Sequence, residues 1–336
     1  MSTVERSFGA FSVGSQQLLL FDLGIDLARA REGVDDLMSA AQSDNTKKAY
    51  AHSWRVFESW CSDAGRDPLP ASAETLRLFV SWCLRDRGYR LETVRTHVSG
   101  VKSYHARRRL TSPVDDTVKA LVRNASRRLR EKPRGAFALT PLLLRRLCSA
   151  ALADGSPVAV RDRAIILLGF AGAFRRSETA SLALDDVRFV RKGLEIRLWK
   201  TKTDQAGQGR FVGVSPGDVE STCPVRALRA WLKLRGVVPG PLFLRVRHNG
   251  CVVDGLGLSG EAVNQCLKRW LAVVGVDADR LSAHSLRVGF VTAVGECGVS
   301  PLVIMKRTGH KTVQMVERYL RPVEVFSAGN PLAGVL

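Results

Sequence analysis

The sequence predicts a mainly α-helical protein of two domains, with small antiparallel β-hairpins in the second domain. The chain has 336 residues, which is more than one hydrophobic core usually organises. Apolar residues recur at helical spacing through most of the chain, and two pairs of short alternating segments flank turn-forming residues. A stretch with proline and glycine, residues 132–140, separates an all-helical half from a mixed half and is the expected linker.

Residues 1–40 form an acidic arm that differs from the rest of the chain. Six Asp and Glu residues against three Arg give this arm a net charge of −3. The whole chain is strongly basic, with a formal charge of +19, which predicts a polyanionic partner and makes nucleic acid the first candidate. An anionic membrane is the competing partner, but no apolar run of about 18 residues occurs, so we expect no membrane association.

Residues 41–131 predict a helical, basic domain. From Asn45 to Gly135 there are 20 Lys or Arg against 9 Asp or Glu, and the basic residues concentrate on the last two helices. In the first helix an aromatic stripe includes Trp54, Phe57 and Trp60. The four helices are expected at about 44–62, 72–86, 91–107 and 114–131.

Residues 141–322 predict a second domain of mixed α and β structure. A helix is expected to begin at Pro224, because proline suits a first helical turn, and to end before Gly236. The Asn249-Gly250 turn predicts a hairpin between residues 242–247 and 251–253. The other elements are expected as helices at about 141–153, 158–173 and 176–184, strands at about 193–199 and 210–214, and helices up to about 322. The apolar segment 323–336 is a C-terminal tail.

Neither cysteine spacing nor nucleotide motifs point to a bound cofactor. The seven cysteines are scattered and never form a C-x-x-C pair, which argues against a structural zinc site and a disulfide framework. The chain has no GxxxxGK[ST] or GxGxxG motif. We therefore expect no cofactor and no metal, and any phosphate chemistry should run without ATP.

Four local patterns in the second domain carry candidate chemistry. In the first, Glu178 follows Arg175 by three residues and would fix its guanidinium by an ion pair. In the second, Lys202 lies in the turn segment WKTKTD between two predicted strands. Taken alone, these patterns also fit surface arginines at a helix start and a solvated lysine.

The third and fourth patterns lie near the end of the domain. His284 and Arg287 are three residues apart and share one helix face, and Gly289 permits another backbone to approach closely. His310 follows a helix that ends at a glycine, and Tyr319 comes nine residues later as the last tyrosine of the chain. Each of these residues alone also fits a structural role.

Together, the order R…K…H-x-x-R…H…Y resembles the tyrosine recombinase (phage integrase) family. The resemblance covers about residues 40–336 and is strongest in SAHSLRVGFVTAVGECGVSPLVIMKRTGHKTVQMVERYLRP. It implies a C-shaped clamp of two domains around double-stranded DNA, with Glu178 as a supporting carboxylate in the active site. The catalytic set that it implies is Arg175, Lys202, His284, Arg287, His310 and Tyr319.

In an enzyme of this family, Tyr319 would attack the scissile phosphate while the two arginines neutralise the charge that develops on its oxygens. His284 would accept the proton of the phenol. The resemblance assigns protonation of the departing 5′ oxygen to Lys202, and His310 would donate a hydrogen bond to the phosphate. No divalent ion is then needed.

The resemblance also implies an inverted-repeat DNA target, a dimer on one site and a tetramer in synapsis, with the tail 323–336 docked on a neighbouring protomer. We expect a cytoplasmic, nucleoid-associated protein of a bacterium or phage. By charge and by resemblance, the residues expected at the DNA are Thr46, Lys48, Arg95, Arg107, Arg108, Arg127, Asn264 and Lys268.

Two alternatives remain open. A type IB topoisomerase or a hairpin telomere resolvase uses a similar set of residues, and only the products distinguish these enzymes. A DNA-binding regulatory or accessory protein on the same scaffold would have lost the chemistry, against which the intact set of six argues.

Overall fold

The computed structural model describes Asp26, Arg29 and Gly33 and residues 44–129, 137–199 and 209–327, without the side chains of residues 44 and 321–327. Nearly all of the acidic arm, most of the linker, the turn that carries Lys202, and residues 328–336 lie outside the described residues. The chain divides into two compact units, Met1–Pro133 and Arg134–Leu336. The fold is mainly helical with small antiparallel sheets, as the sequence predicts.

The first unit contains the four predicted helices. Its core is aromatic, because Trp54 and Phe57 lie on the buried face of the first helix and Phe79 on that of the second. The rings of Phe57 and Phe79 meet edge to face with centroids 5.0 Å apart, a favoured arrangement for aromatic pairs. The helices are α1 Asp44–Asp63, α2 Ala73–Arg85, α3 Leu91–Arg107 and α4 Asp116–Leu129.

The second unit contains eight α-helices in its described part. Several begin at sequence signals for helix starts: the Thr140 and Ser156 hydroxyls accept backbone hydrogen bonds from the first turns, and proline follows each of these caps. The helices are α5 Pro141–Asp154, α6 Pro157–Ala171, α7 Arg176–Ser181, α8 Pro224–Arg235, α9 Gly260–Val273, α10 Ala283–Glu296, α11 Pro301–Thr308 and α12 Val313–Ser327.

Two antiparallel sheets accompany these helices. The first has the order β1-β2-β3, and its last pair joins Leu198 to Arg210. The second is the hairpin with the Asn249-Gly250 turn, and it contains a register irregularity at Leu244 and Arg245. The strands are β1 Val187–Val190, β2 Gly193–Leu198, β3 Arg210–Val214, β4 Leu244–Val246 and β5 Val252–Gly257.

The structure corrects the predicted elements at three places. Helix α7 ends at Ser181 rather than near 184, because Leu182 and Ala183 bridge in extended conformation to residues 241 and 242. Strand β1 was not predicted, since three of its four residues are exposed and give no alternating pattern. Strand β5 runs to Gly257, well beyond the predicted end at 253.

Helix α6 lies at the centre of the second unit and is buried on nearly all sides. Its Arg161 is 4% exposed and donates to the Oδ1 atom of Asp162 through Nε (3.0 Å) and Nη2 (2.8 Å). Asp162 is fully buried and also accepts from Arg269 and from the indole of Trp270. This buried carboxylate is therefore well paired, as an interior charge must be to be tolerated.

Helix α10 carries two of the predicted site residues, and two glycines bring other segments against it. At Gly289 an added Cβ would lie 2.1 Å from the carbonyl oxygen of Leu139, whose N–H donates to the carbonyl of Ser285 (3.0 Å). The predicted close backbone approach at Gly289 is therefore confirmed. At Gly295 an added Cβ would lie 2.3 Å from the side chain of Leu320, so α12 also packs closely on α10.

None of the described helices is long and apolar enough to cross a membrane. All seven cysteines lie in the described ranges and are free thiols. Within those ranges no group of three His, Cys, Asp or Glu side chains is arranged to hold a metal ion.

Candidate active site

Tyr319 and His284 face each other across the contact between α12 and α10. The phenol oxygen of Tyr319 lies 3.3 Å from Nε2 of His284, within hydrogen-bond reach. The Tyr319 ring also packs on an apolar cluster that includes Phe290 and Leu320. Because this packing holds the ring while the hydroxyl points at an imidazole, the pair has the geometry of a nucleophile and its base.

Arg287 is the most buried cation of the site, with 2% exposure. Its Nη1 donates to the carbonyl of Ala173 (2.7 Å) and its Nη2 lies 3.1 Å from Nε2 of His310. Ala173 has φ of +51°, an uncommon conformation for a residue with a side chain, in the turn that precedes Arg175. Among the described residues no carboxylate lies within ion-pair distance of Arg287.

The hydrogen bonds around His310 define its tautomer. The Thr308 hydroxyl donates to the carbonyl of Ile304 (2.7 Å) and so accepts from Nδ1–H of His310 at 2.6 Å. The other ring nitrogen, Nε2, then carries no proton and accepts from Arg287. In this structure His310 is therefore an acceptor for an arginine, whereas the sequence predicts a donor to phosphate.

The pKa values of the site follow from burial and from crowding of positive charge. The pKa of Arg287 is lowered to about 10, first by burial and then by the nearby Arg175. Burial and Arg287 lower the pKa of His310 to about 4. The pKa of His284 is also lowered, first by loss of surrounding water and then by Arg287 and Arg175. Both histidines are therefore neutral at pH 7, and His284 is able to accept a proton.

The depressed pKa of His310 predicts a pH-dependent stability. The unfolded chain binds a proton at this histidine near pH 6.5, and the folded chain only near pH 4. The contribution of His310 to the free energy of unfolding is therefore fully present above pH 6.5 and is lost as the pH falls from 6.5 to 4. From pH 7 to pH 5 the free energy of unfolding should decrease by about 2 kcal/mol more in the unaltered chain than in His310→Gln, which does not titrate. Urea denaturation at both pH values measures this difference, and equal losses in the two proteins would contradict it.

Arg175 and Glu178 form the predicted ion pair at the start of α7. The Nη1 atom of Arg175 lies 2.5 Å from Oε1 of Glu178, and the backbone N–H of Arg175 donates to Oε2 at 2.9 Å. Glu178 is 2% exposed, whereas the Arg175 side chain remains 19% exposed. The buried carboxylate thus fixes a guanidinium that still reaches solvent.

Arg210 is a site residue that was not predicted. It is the first residue of β3, and its Nη2 lies 3.7 Å from Oε2 of Glu178. Its side chain is mostly buried and packs against Gly309, next to His310. A sequence signal was present, because the alternation of β3 places Arg210 on the same face as the buried Val212 and Val214.

Five of the six predicted catalytic residues therefore lie in described segments, and they meet at the junction of α7, α10, α11 and α12. Lys202 lies outside the described residues, between β2 and β3. Three guanidinium groups surround one carboxylate, so the site has an excess of positive charge and favours an anion such as a phosphate.

The residues predicted at the DNA fall into two groups. Most are exposed or half-buried surface residues on α1, α3, α4 and α9: Thr46, Lys48, Arg95, Arg107, Arg108, Arg127 and Lys268. Asn264 differs, because it is 8% exposed, donates to Glu261 (3.1 Å) and accepts from the backbone of Ala283 (2.9 Å). These bonds engage one N–H and the oxygen of its amide, so Asn264 supports the start of α10.

Comparisons with known proteins agree with this geometry. The phage integrase family matches residues 138–324. The chain is 32% identical over 293 residues to the integrase/recombinase xerD homolog of Selenomonas ruminantium, covering 86% of this chain and 85% of that protein. It is 25% identical over 319 residues to the recombinase cre of Escherichia phage P1, covering 88% and 89%.

Solved structures share the fold. A lambda integrase in a tetramer bound to a Holliday junction matches with a TM-score of 0.59 and 13% sequence identity, over 88% of this chain and 77% of that one. At this identity the match concerns the fold alone, and it extends over both units of the chain.

Proposed function

Because the chain belongs to the phage integrase family, it is a site-specific tyrosine recombinase, and we propose that it exchanges DNA strands through a 3′-phosphotyrosyl intermediate at Tyr319. The observation that carries the proposal is the Tyr319 hydroxyl, 3.3 Å from Nε2 of His284 and beside the buried pair of Arg287 and His310. A nucleophile, a proton acceptor and cations for a phosphate are thus parts of one site.

The first half of the reaction uses described residues. Tyr319 attacks the scissile phosphorus, and His284, neutral because of its lowered pKa, takes the phenol proton. Arg175 and Arg287 face the two non-bridging oxygens, whose negative charge grows in the transition state. Arg287 is held for this by Ala173 and His310, so little reorganisation is needed when the phosphate arrives.

The second half concerns the leaving group. As the new O–P bond forms, the bond from phosphorus to the 5′ oxygen breaks, and that oxygen takes a proton from Lys202, which lies between β2 and β3 in the sequence. The phosphate is then esterified to Tyr319 on its 3′ side. A 5′-hydroxyl of the partner strand reverses the step, so the bond energy is conserved and neither ATP nor a metal ion is required.

The first unit supplies a further part of the proposed DNA-binding surface, in addition to the active site. Exposed basic residues on α3, at its C-terminal end and on α4, among them Arg107, Arg108 and Arg127, would contact phosphates of the duplex. Thr46, Lys48, Arg95 and Lys268 are the remaining candidates for base contacts.

Assembly on DNA follows from the same proposal. The lambda integrase match is a tetramer on a Holliday junction, and we propose that this chain likewise pairs two dimers on inverted-repeat sites. The tail 323–336 would dock on the neighbouring protomer, because its first residues, 323–327, continue the helix that carries Tyr319 and the segment is rich in apolar residues. Docking would then couple the position of the nucleophile to assembly.

Covalent capture tests the proposal and identifies the target at the same time. The protein is incubated in excess EDTA with a pool of duplexes that carry a random core, and DNA that stays attached after denaturation is recovered and sequenced. We expect enrichment of an inverted repeat. A label placed at the 5′ end of the cleaved strand should stay with the protein, because the protein is linked to the 3′ phosphate of that fragment. Peptide mapping should place the linkage on Tyr319.

The outcomes separate the alternatives. No adduct under any condition would indicate a DNA-binding accessory protein, and an adduct that forms only with magnesium would contradict the mechanism. If the adduct relaxes supercoiled DNA or closes hairpin ends but never joins two target sites, the chain is a topoisomerase or a telomere resolvase instead.

A further inference from the structure

Arg210 makes contacts with two separate segments of the active site. Its Nη1 donates to the carbonyl of Arg307, at the end of α11, and its Nη2 lies 3.7 Å from Oε2 of Glu178, on α7. Glu178 in turn holds Arg175 at 2.5 Å. The carbonyl of Arg307 immediately precedes the Thr308-Gly309-His310 segment. One side chain thus touches the supports of both a phosphate-binding arginine and a histidine.

A second arginine makes the reciprocal contact. The Nη2 atom of Arg307 donates to the carbonyl of Gly213 on β3 (2.9 Å) and to that of Ala171 at the end of α6 (2.8 Å). The side chain of each arginine therefore binds the backbone of the element that carries the other. These reciprocal hydrogen bonds fix the spacing between β3 and α11. The contact of Arg210 with Glu178 connects α7 to the same two elements.

Two glycines provide the room for this arrangement. Gly309 has φ of +67°, and an added Cβ would lie 3.3 Å from Nε of Arg210, so the guanidinium lies directly against the turn before His310. Gly209 has φ of +70°, and an added Cβ would lie 2.8 Å from the carbonyl oxygen of Leu198. A positive φ favours glycine at both positions. Gly209 precedes Arg210 in the chain, and Gly309 lies against its guanidinium.

The surroundings of the Arg210 guanidinium indicate its role. Its Nε and Nη2 atoms are shielded from solvent and have no hydrogen-bond partner among the described residues. The pKa of Arg210 is lowered, chiefly by burial. Its Nη1 is taken by the Arg307 carbonyl, its Nη2 faces Glu178 and its Nε lies against Gly309. All three guanidinium nitrogens are thus directed at protein atoms, which favours a part in supporting Arg175 and His310 over a contact with the phosphate.

We propose that Arg210 is a positioning residue of the recombinase active site. It connects Glu178 to the Arg307 carbonyl and so fixes the positions of Arg175 and His310 relative to each other. The inference rests on the proposed function, since it assigns a part in that reaction. Residues that orient the groups in direct contact with a reacting centre commonly change rates by about 10- to 100-fold.

Arg210→Ala should lower the single-turnover rate of adduct formation by about 10- to 100-fold on the captured duplex, with DNA affinity within about twofold of that of the unaltered chain. Arg210→Lys should be nearly as slow, because an ammonium keeps the charge but does not reach Glu178 and the Arg307 carbonyl together. The matched control is Arg197→Ala on the adjacent strand, since Arg197 stacks on Trp199 and pairs across the sheet with Phe211. It should react within about twofold of the normal rate.

A modified substrate separates positioning from a general loss of structure. A methylphosphonate at the scissile position removes one charged oxygen, so the exact placement of one arginine matters less. The Arg210→Ala defect should then shrink to less than about fivefold. A variant that is merely misfolded would stay equally impaired on both substrates and would show a lowered urea midpoint at 25 °C.

Three results would overturn the inference. The inference fails if Arg210→Ala cleaves normally, if Arg210→Lys recovers the full rate, or if the Arg210→Ala defect is undiminished on the methylphosphonate. Each result would show that Arg210 does not position Arg175 and His310. If these occur while the unaltered chain forms its adduct and Tyr319→Phe does not, only this inference fails. Absence of an adduct from the unaltered chain would remove the proposed function and this inference together.

Discussion

Replacement of Tyr319 by phenylalanine is expected to abolish the covalent adduct, by at least about a thousandfold, while leaving DNA affinity within about twofold. The substitution keeps the ring and its packing against the cluster with Phe290 and Leu320. It removes only the oxygen that lies 3.3 Å from His284. Loss of one half-exposed hydrogen bond should cost at most about 1 kcal/mol of stability, so the fold is retained.

The measurement is adduct formation on the captured duplex, followed on a denaturing gel, with binding measured separately by fluorescence anisotropy. Tyr89→Phe is a matched control, because it makes the same change in a ring of the first unit. That variant should form the adduct at the normal rate. An adduct that persists in Tyr319→Phe would place the nucleophile on another residue.

Replacement of Arg287 by methionine should separate activity from stability. We expect adduct formation to fall by at least about a thousandfold, because the loss of one buried donor to a developing oxyanion alone reduces rates by about 100- to 1000-fold and a charge is lost as well. The free energy of unfolding should nevertheless not decrease. Arg287 is 2% exposed, its pKa is lowered to about 10, and no described carboxylate pairs with it, so methionine removes a poorly compensated charge.

Arg161→Met is the control for this prediction, because Arg161 is almost as buried but forms an ion pair with Asp162. Removal of one partner of a buried pair should lower the free energy of unfolding by about 3 kcal/mol. Urea denaturation of both variants gives the comparison. A loss of more than 2 kcal/mol in Arg287→Met would show that this arginine stabilises the fold, and the separation of activity from stability would not hold.

The helices and the order of site residues could be predicted from the sequence because both depend on local pattern. Apolar periodicity and caps such as Thr140 and Ser156 mark the helices, and the i, i+3 spacing places His284 and Arg287 on one face of α10. The i, i+3 spacing together with the resemblance likewise assigns Glu178 to Arg175, and the structure places them in contact.

The features that the sequence did not predict depend on contacts between distant segments. Arg210 gains its role only because β3 lies against the end of α11, 97 residues away along the chain. His310 becomes an acceptor because Thr308 and Arg287 surround it, which no spacing rule conveys. Strand β1 has mostly exposed residues, so its pairing with β2 leaves no alternating apolar pattern to read.

The backbone contact between Leu139 and α10 has a consequence for modular engineering. Leu139 donates to the Ser285 carbonyl, and Gly289 admits its peptide where any larger residue would collide. The peptide that enters the second unit is therefore part of the support for the helix with His284 and Arg287. A chimera that exchanges the first unit for a foreign recognition module should place its fusion point before residue 137, since a graft that replaced Leu139 would remove a piece of the catalytic scaffold along with the module.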